Sequence, residues 1–292
     1  MLAGFAAEGK QQEDKLLKIC EEALIARKSV VYFDHEIPEG VRILARNYAK
    51  QLQIYAGEKP EKKETIQIPH PGDSNDPDTP VLLIGGLIEQ ADTLEVLLRL
   101  TIQLKEEGFL PSVLSQHPMG VLFGFHNPYA ILHHQTWTEV EKIGIFHGLV
   151  MNLERWERPD IIIMEAPDAI MRFNTKVPNG YGIYTYMSSL AIAPDAIVLC
   201  VPCDFAKSEM IEALNQDFMI RLNGSIVAAH ISNIVLDNMV IQEYHRISYA
   251  HVSLEEVHEK VIQQDTLSTP MLDVIGDGTE QLGRLVRSII EP

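Results

Sequence analysis

Residues 86–93 read GLIEQADT, which is close in spacing to the phosphate-binding loop G-x-x-x-x-G-K-[ST]. Gly86 and Thr93 occupy the first and last positions of that motif, but Ala91 stands where the second glycine belongs and Asp92 where the lysine belongs. The lysine normally holds and neutralises the transferred phosphoryl group, whereas a carboxylate repels it. We therefore expect the layout of a phosphate loop without ordinary ATP hydrolysis.

The same loop allows two interpretations. In the first, Gly85, Gly86 and Thr93 still bind a nucleotide or another anion, because backbone N–H groups at a helix N-terminus attract anions without any lysine. In the second, the two glycines only permit a tight turn from strand to helix, and Asp92 is an acidic residue near a helix start. The residue types favour the second interpretation.

A second candidate site lies in RPDIIIMEAPDAIMRFN at residues 158–174, where four apolar residues end at Glu165 and Asp168 follows three positions later. Ligands of α/β sheets bind at the carboxyl ends of the strands, and carboxylates there can hold magnesium or transfer protons. Glu165 and Asp168 are therefore the candidate catalytic residues, with a plain strand-ending carboxylate as the alternative. Arg172 and Lys176 are nearby cations that could balance a bound anion.

A third candidate is Asn233, at the end of a strand-like stretch that begins at Ser225. Nucleotide-binding chains with a phosphate loop often recognise the base with an asparagine at such a strand end, followed by Lys-x-Asp. Here Ile234 replaces the lysine and Asp237 follows at a different spacing. Asn233 is thus a candidate cofactor-binding residue in a weakened motif.

Two further groups of side chains could carry redox chemistry or bind a metal. Cys200 and Cys203 have the spacing of a dithiol near a helix start, where the pKa of a thiol is lowered. Cys200 fits the interior of a strand, however, so we predict no redox activity. Four histidines lack the spacing of a zinc site, so we predict no bound metal and no cofactor. These histidines are His126, His133, His134 and His147.

Three segments position these side chains. Residues 1–57 are predicted to form a helical segment, with helices at 12–27 and 39–55 and room for one strand between them. Residues 58–80 are rich in proline and charge, which is typical of a linker or an exposed loop. Residues 81–292 are predicted to form one α/β domain.

Within that domain, short apolar runs alternate with helical stretches, as in a mostly parallel sheet with helices on both faces. Thr138 and Glu141 predict a capping box at the start of a helix that ends near Trp156. The expected strands cover residues 81–84, 112–114, 161–164, 196–201, 226–231 and 247–252.

Composition limits the classes of partner. The chain has 292 residues, 46% of them hydrophobic and 22% charged, as in a folded domain, and its formal net charge is −17. This charge argues against nucleic acid or an anionic membrane as the main partner. An apolar run long enough to span a membrane and the pattern of a secretory signal are both lacking, so we expect a cytoplasmic protein. Three cysteines are too few for a disulfide framework.

The order of a strand and loop at Val81, an acidic strand end at Glu165 and an asparagine strand end at Asn233 resembles the dethiobiotin-synthetase-like branch of phosphate-loop NTPases. The stretches LFGFHNPYAIL at residues 122–132 and RPDIIIMEAPDAIMRFNTKVPNGYGIYTYMSSLAIAPDAIVL at 158–199 resemble accessory proteins of peptide-maturation systems. Those systems lie beside radical-SAM enzymes that modify ribosomally made peptides. The resemblance covers roughly residues 80–254 and implies a degenerate phosphate loop, but no catalytic residue.

The leading hypothesis is therefore an accessory or scaffold protein that binds a precursor peptide or a peptide-modifying enzyme without hydrolysing NTP. The alternative is a ligase- or transferase-type enzyme that binds a small anionic ligand or nucleotide in a crevice between Gly86 and Glu165. An exposed N-terminal helical pair would also be compatible with a homodimer.

Overall fold

The structure, a computed structural model, consists of two compact units that are described separately. The first unit contains the described residues up to 56 together with 116–133, and the second contains 76–115 and 134–291. The described residues are 2–3, 10–34, 37–56, 76–89, 91–175, 177, 181–263 and 269–291.

Helices and strands alternate along most of the chain. In chain order the elements are β1 (Leu2–Ala3), α1 (Lys10–Ile25), β2 (Val30–Asp34), α2 (Glu39–Asn47), β3 (Leu52–Ala56), β4 (Val81–Gly86), α3 (Thr93–Glu106), β5 (Pro111–Leu114), a 3-10 helix (Pro118–Phe123), α4 (Tyr129–Leu132), α5 (Glu139–Glu157), β6 (Ile161–Glu165), α6 (Ile183–Ala191), β7 (Ala196–Pro202), a 3-10 helix (Cys203–Phe205), α7 (Ser208–Arg221), β8 (Ser225–Ser232), β9 (Ile234–Leu236), α8 (Asn238–Tyr244), β10 (Tyr249–His251), α9 (Leu254–Gln263), β11 (Met271–Leu272) and α10 (Thr279–Ile290).

The first unit contains a three-stranded parallel sheet in the order β1-β2-β3. Its core joins the inner faces of α1 and α2 to this sheet through Leu24, Tyr32 and Val41, which are each 1% exposed. The expected helix at 39–55 is wrong beyond Asn47, because the chain turns there and Leu52–Ala56 pairs with β2. The predicted linker at 58–80 lies mostly outside the described residues.

The second unit is built on a six-stranded parallel sheet in the order β11-β8-β7-β4-β6-β5. The first five expected strands are confirmed as β4, β5, β6, β7 and β8. The stretch at 247–252 was expected in this sheet but instead supplies β10, which pairs antiparallel with β9 in a separate two-stranded sheet. The sixth strand of the main sheet is the two-residue β11, which was too short for a sequence pattern to reveal.

The order of strands fixes where a ligand crevice can form. From β4 the chain crosses to β5 at the sheet edge, returns to β6 beside β4, and then continues to β7 on the other side of β4. The chain therefore moves toward one edge of the sheet after β4 and toward the other edge after β5. Such a change of direction opens a crevice between β4 and β6, at the carboxyl ends of the strands. The β4–α3 loop and the end of β6 both lie there.

Helices cover both faces of this sheet. The α3 helix packs with α10, and α5 packs with α6. Since parallel crossovers are right-handed, the reversal after β5 puts α3 and α5 on opposite faces. The capping box of α5 is confirmed, with Thr138 Oγ1 accepting from Glu141 N and Glu141 Oε2 accepting from Thr138 N. The expected α/β class with a mostly parallel, helix-covered sheet and the element order of a phosphate-loop NTPase are confirmed.

Among the described residues, no helix is both long enough and apolar enough to cross a membrane.

Candidate functional site

The β4–α3 loop and the end of β6 meet as the sequence predicts. Ile84 is in register with Glu165 on the neighbouring strand, and Thr93 Oγ1 donates to Glu165 Oε1 over 3.2 Å. In a phosphate-loop NTPase, a hydroxyl and a strand-end carboxylate in these places hold magnesium. Here the two side chains bind each other.

The two glycines of the loop are required by close contacts within the protein. A Cβ added to Gly85 would lie 2.8 Å from Ile170 Cδ1, and one added to Gly86 would lie 2.4 Å from the carbonyl oxygen of Ile88. Neither contact involves a ligand. These distances support the interpretation of Gly85 and Gly86 as a tight turn, while their role in cofactor binding stays a prediction.

The loop is filled by its own apolar side chains. Leu87 is 4% exposed, and Ile88 and Ala91 are fully buried. Two loop amides are also used internally, since Leu87 N donates to Cys200 O over 2.9 Å and Ala91 N donates to Ile88 O over 3.2 Å. In a phosphate-binding loop such amides point at the anion. In the described part of this loop, these amides and apolar side chains therefore make their contacts within the protein.

Asp92 occupies the N-cap position of α3 in a left-handed conformation, with φ of 61°. The interpretation of Asp92 as an acidic residue near a helix start is confirmed in its position, although the side chain makes no cap hydrogen bond. The carboxylate instead accepts from the Ser232 hydroxyl on β8 and has its Oδ2 3.8 Å from Nε2 of His230. Asp92 thus connects the loop to a strand two places away in the sheet.

The surroundings of Asp92 keep its carboxylate ionised. Burial alone would raise its pKa, but the contacts with His230 and Ser232 and the charges of His230 and His251 together lower it. An ionised carboxylate here repels any anion that approaches the loop. The side chain found at the lysine position is therefore negative.

His230 and Ser232 are site residues that the motif analysis missed. Both lie on β8 two positions apart, so they share one face of the sheet, and their exposed fractions are 1% and 0%. His230 Nδ1 lies 3.2 Å from Val274 N and 3.3 Å from Leu272 O, while Nε2 makes no hydrogen bond with any residue that the structure describes. The sequence signal that could have identified them is a pair of polar residues two positions apart within an apolar strand.

Glu165 is buried, with 8% of its surface exposed. Burial raises its pKa, while hydrogen bonds from Ser115 and Thr93 act in the opposite direction. Ser115, which follows β5, is a third residue that motif analysis missed. A carboxyl with a raised pKa fits acid–base chemistry but fits magnesium binding poorly, because magnesium prefers the ionised form. The catalytic role of Glu165 stays a prediction.

Asp168 caps the start of α6, although it lies 17 residues before Thr185 in the sequence. Its carboxylate accepts from Thr185 N over 3.0 Å, from Thr185 Oγ1 over 2.7 Å and from Tyr184 N over 3.3 Å. These amides are among the unpaired donors of the first helical turn, so the carboxylate has a structural use. A catalytic role for Asp168 stays a prediction and would have to compete with this use.

Asn233 directly follows Ser232 at the end of β8, as expected. Its Oδ1 lies 3.2 Å from His251 Nδ1 on β10, and its carbonyl accepts from Val252 N over 2.8 Å. Asp237, which would belong to a base-recognition motif, caps α8 by accepting from Met239 N and Val240 N. Base recognition by Asn233 stays a prediction.

The cysteine pair lacks the acidity of a redox dithiol. Cys200 and Cys203 are both buried free thiols, with Cys200 on β7 as expected. Burial raises the pKa of both, and the nearby carboxylates of Asp92 and Glu165 raise that of Cys200 further. A reactive thiol needs the opposite shift.

The four histidines are divided between the two units, with His126 and His133 in the first and His134 and His147 in the second. His133 stacks on Tyr129 with ring centroids 4.1 Å apart, and His134 stacks on Trp137 at 3.7 Å. Within the described parts of the chain, histidine, cysteine and carboxylate side chains form no group of three that could hold a metal ion.

Arg172, one of the two cations expected to balance an anion, makes local contacts. Arg172 Nε donates to the carbonyl of Asn174 over 2.7 Å, and its guanidinium lies 5.8 Å from the ring of Tyr181. Lys176 lies outside the described residues.

No protein-family model matches the chain, and no curated protein matches it. Among solved structures, it is similar to a DUF1611 family protein from Anabaena variabilis, with 16% identity and a TM-score of 0.62. That alignment covers 98% of this chain and 80% of the other. At this identity the similarity shows a shared fold.

Weaker similarities include two other structures. Cobyrinic acid a,c-diamide synthase from Mycobacterium smegmatis, with bound ADP and magnesium, is 12% identical with a TM-score of 0.41 over 72% of this chain and 96% of that chain. The MinD cell division protein of Aquifex aeolicus is 10% identical with a TM-score of 0.37 over 73% of this chain and 96% of that chain.

Proposed function

We propose that this protein is a non-hydrolysing accessory protein that binds a polypeptide partner on a degenerate phosphate-loop scaffold. The observation that carries the proposal is the position of Asp92, whose ionised carboxylate stands in place of the lysine and is tied to Ser232. Without the lysine, the loop lacks the cation that neutralises phosphoryl transfer.

The pairing of Thr93 with Glu165 supports the same conclusion. These are the two side chains that would hold magnesium, and the burial of Glu165 favours its neutral form. Burial raises the pKa of Glu89, and the neighbouring charge of Asp168 raises it further, which shows that negative charge is already disfavoured at this place. An acidic crevice disfavours the alternative function, a ligase or transferase that binds a small anion.

The class of partner comes from the resemblance to accessory proteins of peptide-maturation systems. A precursor peptide or a peptide-modifying enzyme is the partner that this resemblance implies. A small precursor-peptide gene and a radical-SAM gene beside this one would supply the peptide and enzyme to test. Binding of that peptide is then measured by calorimetry with the full chain.

ATP and GTP with magnesium provide the opposing test. The proposal predicts no hydrolysis above that of the E165Q variant, which has the same shape but cannot ionise at residue 165. Clear hydrolysis by the wild type that E165Q abolishes would contradict the proposal and favour the enzyme alternative. If the protein hydrolyses no nucleotide and also binds no peptide, the proposed role is rejected as well.

A further inference from the structure

The outer edge of β10 is an unpaired strand edge close to the end of β8. The three residues of β10 pair antiparallel with β9, with Tyr249 opposite Leu236 and Ala250 opposite Val235. All three are exposed. The ribbon adjoins the crevice strand through the 3.2 Å contact between Asn233 and His251.

The hydrogen-bond pattern shows which backbone groups of β10 point outward. Asp237 N donates to Ser248 O and Val252 N donates to Asn233 O, each over 2.8 Å. In an antiparallel pair, inward and outward residues alternate, so Ala250 also bonds inward while Tyr249 and His251 point their N–H and C=O groups away from β9. Within the described chain these four outward groups have no hydrogen-bond partner.

The segments that flank β10 along the chain, α8 and α9, have the composition of an interface. Four large apolar side chains within 24 residues are more than half exposed, which is dense for a monomer surface. They are Met239, Tyr244, Leu254 and Ile262.

The chain around β10 also carries a net negative charge. The segment 237–263 carries five carboxylates against two Lys or Arg side chains, of which Arg246 lies over the ring of Tyr244. Three of the carboxylates are exposed on α9, which begins three residues after β10. They are Glu255, Glu256 and Glu259.

We propose that the outer edge of β10 binds an extended, basic segment of a partner polypeptide by strand addition. The four outward backbone groups would pair with the added strand, and the carboxylates of α9 would attract its Lys or Arg side chains. A second copy of this chain is the rival occupant, and the formal net charge of −17 on each chain opposes its approach. The inference rests on the proposed function for its class of partner and assigns the surface that binds it.

Synthetic peptides test this directly. The probe is an acetylated and amidated nine-residue peptide that alternates Lys and Thr, and its matched controls are a Glu/Thr peptide and a Lys/Thr peptide with N-methyl groups on alternate residues. We expect the Lys/Thr peptide to bind the full chain and to protect the Tyr249 and His251 amides from hydrogen exchange. The Glu/Thr and N-methylated peptides should bind at least about tenfold more weakly, since each loses charge pairing or backbone donors.

Tyr249 provides a matched pair of variants. Y249P removes both the ring and the outward N–H and keeps the hydrogen bonds to β9, whereas Y249A removes the ring and keeps the N–H, so the difference between the two variants isolates the N–H. Y249P should weaken peptide binding about tenfold, and clearly more than Y249A does. If Y249P does not fold by circular dichroism, the double variant E255K/E256K decides, with loss of Lys/Thr binding and gain of Glu/Thr binding expected.

Equal binding of the N-methylated and parent peptides, or unchanged binding by a folded Y249P, would overturn the inference. So would a dimer in solution that Y249P converts to a monomer, since the edge would then belong to a second copy. A natural partner peptide that binds Y249P as well as wild type would defeat this inference alone and leave the proposed function standing.

Discussion

The carboxylate of Asp92 fixes the charge at the position of the β4–α3 loop where the phosphate-loop motif has its lysine. The sequence identifies Asp92 as a substitution of the lysine and as an acidic residue near a helix start. Its contacts with Ser232 and His230 could not be predicted, because Asp92 and Ser232 are 140 residues apart in sequence and meet only through the register of the sheet. A motif gives residue types in order, whereas a site depends on which strand lies beside which.

Replacing Asp92 tests how much its contacts with Ser232 and His230 stabilise the folded protein. The pKa of Asp92 is lowered in the folded protein, so its contribution to stability is present above the unfolded value near 3.8 and is lost as pH falls through the folded value. D92N should lower the free energy of unfolding by about 1–2 kcal/mol at pH 7. The difference should shrink below about pH 4, as measured by urea denaturation at several pH values. A difference that does not change with pH would show that packing, not charge, is lost.

Glu165 predicts the opposite pH dependence. Because burial raises its pKa, the folded protein favours the neutral form, and the stability due to this group is complete below the unfolded value near 4.5 and falls as pH rises through the folded value. E165Q keeps the shape and lacks this titration. We expect wild type to lose stability relative to E165Q between pH 4.5 and pH 8. If the two proteins keep the same difference across this range, Glu165 is not neutral when folded.

Among the elements, α6 shows how a suspected catalytic residue can instead position a helix. Asp168 accepts three hydrogen bonds from the first turn of α6. D168A should therefore cost about 1–2 kcal/mol in the free energy of unfolding. D168N keeps one acceptor oxygen and should cost less. D237A, which removes the exposed cap of α8, is a matched control for the loss of a cap away from the crevice. A D168A variant of unchanged stability would reject the capping role.

Five of the six strands of the main sheet were predictable because they are continuous apolar runs, as buried parallel strands require. The sequence pattern predicts the wrong element or the wrong sheet where pairing with another strand determines the structure. Leu52–Ala56 continues an apparent helical periodicity, yet it becomes a strand because β2 offers an open edge beside it. The stretch around β10 has a strand pattern, but only the partner strand determines which sheet it joins.

At the scale of the whole molecule, the first unit is discontinuous in sequence. The 3-10 helix Pro118–Phe123 packs against β2 and β3, although more than 60 residues separate them along the chain. A linear division into an N-terminal segment and an α/β domain assigns this helix to the second part. Sequence patterns report local structure, so a return of the chain to an earlier unit leaves no periodicity to read.

Net charge is a property of the whole chain, and it predicts a response to salt. The 41 acidic side chains outnumber the 24 Lys and Arg side chains, so self-repulsion should exceed the ion pairs that salt weakens, such as Arg99 with Glu95 and Arg287 with Glu107. Thermal unfolding should therefore shift upward by about 2–4 °C between low salt and about 0.3 M NaCl. Both tryptophans lie in the second unit, so their fluorescence follows that unit alone.

The double variant E255Q/E256Q is the matched control, because it removes two exposed carboxylates that form no ion pair with any described residue. With less self-repulsion to screen, this variant should show a smaller upward shift with salt than the wild type does. A downward shift in the wild type would mean that ion pairs outweigh repulsion in this fold. An equal shift in both proteins would place the salt response away from α9, and would weaken the case that the acidic start of α9 supplies the charge that attracts a basic peptide.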